Sequence, residues 1–132
     1  MDPVVHFEIP CDDRERIARF YSQVFGWKCE MLGPEMGNYV VAGTADKDPI
    51  PDGFRGAING GFFQRDPAKP GQYPSVVIAV PEIGTAMKKV GAAGGEVLGT
   101  PMEIPGIGQY VSFNDTEGNR VGMLQPMQHT VG

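Results

Sequence analysis

Apolar and polar residues alternate from Val4 to Pro10, with Phe7 and Ile9 on one face and His6 and Glu8 on the other. That two-residue period is the mark of a half-buried strand. The period then lengthens. Ile17, Phe20, Tyr21 and Val24 recur at helical spacing as one apolar stripe, and Gly26 follows as a stop. Asp12, three residues ahead of Glu15, reads as a capping-box-like start. Trp27 to Leu32 and Asn38 to Ala42 read as strands. The polar, proline-rich stretch from Thr44 to Gly56 reads as a loop, and Ala57 to Gln64 as a fourth strand.

The order then restarts. Ser75 to Val80 is a strand, and Pro81-Glu82 opens a helix whose Ile83, Met87 and Val90 keep helical spacing. Lys88 and Lys89 near its end suit the macrodipole, and Gly94-Gly95 ends it. Glu96 to Met102, Gln109 to Phe113 and Arg120 to Gln125 are strands. Each half thus reads β-α-β-β-β, and the match extends to residues. Gly37-Asn38-Tyr39-Val40-Val41 echoes Gly108-Gln109-Tyr110-Val111-Ser112, and Gly61-Phe62-Phe63-Gln64 echoes Gly122-Met123-Leu124-Gln125. Tyr39 precedes Gly61 by 22 positions and Tyr110 precedes Gly122 by 12, so the first half carries a ten-residue insertion around Asp46 to Gly56. An internal repeat of this kind sets the architecture.

Composition narrows the partners. The chain has 132 residues with 11 Lys+Arg against 16 Asp+Glu, a net charge of −5. One domain with one core is expected at this length. Its 19 glycines and 12 prolines follow no short period, which excludes a collagen-like chain. No run of 18 apolar residues predicts a membrane span. The acidic balance and lack of a basic patch argue against nucleic acid. Cys11 and Cys29 fit no zinc or redox spacing, and the N-terminus lacks the pattern of an export signal. Free thiols in a cytoplasmic protein are expected.

Three stretches carry a family likeness: Phe20-Tyr21 through Val24, Phe25-Gly26-Trp27, and Phe113-Asn114-Asp115-Thr116-Glu117-Gly118-Asn119-Arg120. With the doubled β-α-β-β-β plan, the chain resembles the vicinal oxygen chelate superfamily of glyoxalases, bleomycin-resistance proteins and extradiol dioxygenases. Thr116 stands where the family's last turn usually has proline. The resemblance implies an α+β fold: one domain over 1–132, with half-modules at 1–66 and 74–127, forming an open, barrel-like mixed sheet around a concave cleft. It also implies four metal-ligand places, which fall on His6, on Gly60 or Gly61, on Ser75 and on Gly122. Three of those four hold residues that are not ordinary side-chain ligands, and one histidine does not make a transition-metal site. No cofactor is therefore expected, and a divalent metal is disfavoured. The family also implies a homodimer.

The expected function is binding of a small organic molecule in the cleft. His6 and Glu8, two residues apart on one strand face, are the candidate acid/base pair; a satisfied strand-face histidine is the plainer alternative. Tyr39, Gly60, Gly61, Phe63, Ser75, Tyr110 and Gly122 are the candidate cleft residues. The glycines read either as space for a planar ligand or as β-bulges. Whether Gly60 or Gly61 faces the cleft decides whether Phe62 or Phe63, respectively, enters it. Tyr39, Tyr110 and Trp27 read as core or cleft wall. Ser75 lacks the partners of a nucleophile. Gly106-Ile107-Gly108 lacks the rest of a dinucleotide fingerprint and reads as a loop. The insertion, with Phe54 and Arg55, is a lid or a plain loop, and His129 sits in a tail. A second reading is an enzyme working metal-free through His6 and Glu8, or with a displaced metal drawing on Glu103 or Glu117. A third is an interaction module whose cleft is filled by its own aromatics.

Overall fold

Two β-α-β-β-β runs follow one another along the chain. In the computed structural model, which describes residues 1–45 and 57–127, the first run is β1 (Val4–Cys11), α1 (Arg14–Phe25), β2 (Lys28–Met31), β3 (Val40–Gly43) and β4 (Gly60–Gln64). The second is β5 (Ser75–Ala79), α2 (Ile83–Ala92), β6 (Glu96–Ile104), β7 (Gly108–Asn114) and β8 (Arg120–Pro126). The α+β class and the doubled plan expected from the sequence hold. The inserted stretch from Asp46 to Gly56 and His129 lie outside the described residues.

The chain divides into two compact units, His6–Pro74 and Ser75–Gly132, with Met1–Val5 joining the latter. The Pro3 carbonyl accepts a hydrogen bond from Ala79 N–H at 2.9 Å, which ties the first residues to β5. In the unit His6–Pro74 the strand order is β2-β3-β4-β1, with β1 and β4 parallel and the other pairs antiparallel. In the other unit it is β5-β8-β7-β6, with β5 and β8 parallel. Each set of four strands combines one parallel pair with antiparallel pairs, the parallel strands being joined by a long crossover that includes a helix.

The ladders reproduce the repeat residue by residue. Val40 pairs with Phe62 as Val111 pairs with Met123, and Glu8 pairs with Gly61 as Val77 pairs with Gly122. Phe62 and Val40 are fully buried and pack with Ala42, Cys11 and Ala18. Tyr21 and Trp27 stack on that core with ring centroids 4.4 Å apart, and Trp27 also lies 6.2 Å from Phe62. Trp27, itself partly buried, therefore packs against the core. The second core is aliphatic: Val80, Ile83, Val111 and Met123, flanked by Met87 and Val90 of α2.

Local details depart from the sequence reading in three places. The α1 cap is Asp13, whose carboxylate accepts from Arg16 N–H at 3.0 Å, while Asp12 pairs instead with Arg65 at 2.7 Å. The expected stripe is split: Ile17 and Tyr21 pack inward, but Phe20 and Val24 are more than half exposed. In the second unit, β6 runs on to Ile104 through a bulge between Leu98 and Met102, where Gly99 takes a positive φ of 86°. Gly26, at φ 73°, ends α1 in the left-handed conformation as expected.

Candidate functional site

The face of β1 that carries His6 is built from the start of α1 outward. Arg14 donates from one guanidinium nitrogen to the carbonyls of Leu32, at 2.7 Å, and Asn38, at 3.1 Å. Those contacts hold the turn Gly33–Asn38, in which Asn38 takes a positive φ of 57°. The next residue is Tyr39, whose carbonyl accepts from Leu32 N–H at 2.9 Å. The turn thereby fixes the tyrosine at the mouth of β3, and its hydroxyl meets His6 Nε2 at 2.9 Å.

The Tyr39 ring lies over Gly61. A Cβ on Gly61 would overlap the Tyr39 hydroxyl, Cζ and Cε1, which are the three nearest heavy atoms. Gly60 faces the other way, against the ring of Phe7, among the groups packed beneath α1. Strand alternation then puts Phe62 in the core and Phe63 on the face of Gly61. Glu8 is Gly61's ladder partner and shares the face of His6. His6, Glu8, Tyr39, Gly61 and Phe63 are thus brought onto one face, and Gly60 is not.

Burial sets the electrostatics there. His6 is partly removed from water, which holds its pKa below the ordinary 6.5 and favours the neutral imidazole. A neutral ring can accept from the phenol or donate to it, according to tautomer. On the opposite face, burial pushes the Cys11 thiol pKa up, so it is packing material rather than a nucleophile.

The second half-module repeats the arrangement with other partners. A Cβ on Gly122 would come within 2.5 Å of the Tyr110 hydroxyl, and its three nearest heavy atoms all belong to that ring. The buried Ser112 hydroxyl donates to the Tyr110 oxygen at 3.3 Å. Ser75 opens β5, half-buried, two residues before Val77. Glu103 pairs with Gln109 along β6 and β7, and Glu117 accepts from the Thr116 hydroxyl at 2.9 Å in the turn before β8. That turn is held by Asp115, whose carboxylate accepts from the backbone of Glu117 and Asn119, both at 2.9 Å. Those bonds, Asn119's first, hold the Asp115 pKa below its usual value.

The sequence pattern did not single out Arg14 or Ser112, and it left the glycines as either space for a ligand or β-bulges. The signal was present: tyrosine and glycine occur as a pair in both halves. What it lacked was the direction of the rings.

Comparison with known proteins places this architecture. The model for the bleomycin resistance protein-like N-terminal region matches residues 4–44. A glyoxylase-like domain-containing protein of Didymella fabae is 31% identical over 115 residues, spanning 85% of this chain and 84% of its own. The chain belongs to the vicinal oxygen chelate superfamily. A further relative is the anthracycline biosynthesis protein DnrV of Streptomyces peucetius, 28% identical over 120 residues. That match covers 85% of the chain but 42% of DnrV, so the chain spans less than half of that relative. Among solved structures, methylmalonyl-CoA epimerase from Mycobacterium tuberculosis shares the superfamily fold at a TM-score of 0.68. It is 11% identical, with 95% of this chain and 88% of its own covered. No helix among the described residues is long and apolar enough to cross a membrane.

Proposed function

We propose that this vicinal oxygen chelate protein binds a small organic molecule at the His6–Tyr39 face, without the divalent metal of the family's standard site. One observation carries the reading: the side-chain space of both Gly61 and Gly122 is occupied by a tyrosine of the same half-module. The residues at the family's ligand places do not fit a metal. Two of them are these covered glycines, a third is Ser75, and the imidazole of His6 is engaged by a phenol at 2.9 Å. No three His, Cys, Asp or Glu side chains gather as a metal-holding group among the described residues. A half-buried tyrosine ring, edged by an imidazole and followed by Phe63, suits a planar ligand with oxygen substituents. A relative named for anthracycline biosynthesis makes polycyclic hydroxyaryl ketones a rational first panel.

A second reading draws on the same face. A neutral, desolvated His6 in contact with Tyr39, with Glu8 on the same strand face, supports proton transfer to or from a bound ligand. The test separates the two. EDTA-treated protein is titrated calorimetrically with the hydroxyaryl ketone panel, and ligands that bind are incubated and checked for conversion. Binding that survives EDTA and is lost in Tyr39→Ala supports the first reading. Conversion abolished in His6→Ala and Glu8→Ala supports the second. A panel that binds only after metal is restored would sink the metal-free proposal.

A further inference from the structure

Neither Gly61 nor Gly122 has a positive φ; among the described residues the glycines that do are Gly26, Gly37, Gly71, Gly94, Gly99, Gly106, Gly108 and Gly118. Backbone conformation therefore does not demand glycine at 61 or 122, since an L-residue adopts such extended geometry freely. Something else excludes a side chain there. At each position the three heavy atoms nearest a built Cβ all come from one tyrosine ring: Tyr39 at Gly61 and Tyr110 at Gly122. The two tyrosines reach their glycines by the same register, because Val41 pairs with Gly61 and Ser112 with Gly122, each two residues past its tyrosine.

We infer that Tyr39 and Tyr110 are the specificity-determining residues of this chain: each blocks the growth of a metal-ligating side chain from the last strand of its own half-module. Tyrosine and glycine form one unit at each place. A carboxylate introduced at position 61 meets a ring that is held at its base by the Arg14-clamped turn and at its tip by His6. That ring cannot yield without giving up its hydrogen bond. At position 122 the ring is tied by Ser112 instead. This inference rests on the metal-free part of that proposal; a ligand panel without a binder leaves it standing, whereas the melting cycles below can fail while the panel still binds.

Two double-mutant cycles test it: Gly61→Glu with Tyr39→Ala, and Gly122→Glu with Tyr110→Ala, each read by thermal melting. With its tyrosine present, each glycine substitution lowers Tm on the order of 10 °C, as overpacking does. With the tyrosine truncated, the same substitution costs less than half of that shift. Addition of Ni²⁺ then raises the Tm of the Tyr39→Ala/Gly61→Glu double variant but not of Gly61→Glu alone. Should a glutamate variant fail to fold, Gly61→Ala and Gly122→Ala complete the same cycles with one methyl group each. Gly61→Ala also shifts the His6 pKa, followed by NMR, upward toward its ordinary value, because the displaced ring no longer shields it. Equal Tm losses in both backgrounds, or a Ni²⁺-dependent rise in Gly61→Glu alone, would overturn the inference.

Discussion

In the first half-module the covering phenol meets an imidazole at 2.9 Å; in the second the equivalent phenol meets the buried hydroxyl of Ser112 at 3.3 Å. The residue that pairs with the covered glycine differs as well: Glu8 beside Gly61, but Val77, 3% exposed, beside Gly122. The ring-over-glycine packing is thus common to both halves, while ionisable chemistry belongs to one. A repeat can keep its steric frame and let the chemistry around it diverge. Any proton transfer is expected on the His6 side, and the Tyr110 side offers neutral hydrogen bonding against an aliphatic neighbour.

The cores differ in the same sense, and truncating them gives the largest effect. Phe62→Ala removes a fully buried ring that contacts Tyr21 and Trp27, for a loss of about 3–5 kcal/mol. Met123→Ala, its counterpart, removes a smaller side chain from an aliphatic core, for about 2–4 kcal/mol. Urea denaturation with unchanged slope reads both; a larger loss at Met123 would break this contrast between the aromatic and aliphatic cores.

Next come the tyrosine hydroxyls. Tyr39→Phe strands the partly buried His6 nitrogen and costs about 1 kcal/mol, whereas Tyr110→Phe gives up a longer bond and costs roughly half of that. Equal losses would mean that the two hydroxyls are interchangeable despite their partners.

The smallest effect is in pH. Burial holds His6 below its ordinary pKa of 6.5, so the unfolded chain takes up its proton first as pH falls. Stability therefore declines as pH drops from about 7 toward the folded pKa and levels below it. His6→Gln flattens that window; Ser75→Ala, at the matching position of the other half, leaves it unchanged. A wild-type curve that rises with acidification over the same window would contradict the assignment.

Much of this was legible in the sequence, for identifiable reasons. Strand and helix periods, the Gly26 stop and the paired Tyr-Val and Gly-x-x-Gln motifs are local signals, and they placed nearly every element. Even the echo of Gln64 and Gln125 has a structural reason: the first donates to the Asp12 carbonyl at 3.1 Å, the second accepts from Ile83 N–H at 2.9 Å, each at the approach to its helix. What stayed hidden was tertiary. The helix is capped by Asp13, while Asp12 pairs with Arg65, 53 residues away. Phe20 and Val24 satisfy helical spacing, yet Tyr21 and Ile17 already fill the sheet-facing side. The glycines at 61 and 122 read as either space or bulges, and only the ring directions set by Arg14 and the β3 and β7 registers show that tyrosines lie over them.

The central claim is that tyrosines stand in place of metal ligands. Its most direct test is calorimetric titration of EDTA-treated protein with Ni²⁺, Zn²⁺, Mn²⁺ and Fe²⁺. The account predicts no stoichiometric binding at micromolar affinity. One ion per chain, bound at that affinity and lost in His6→Ala, would contradict it.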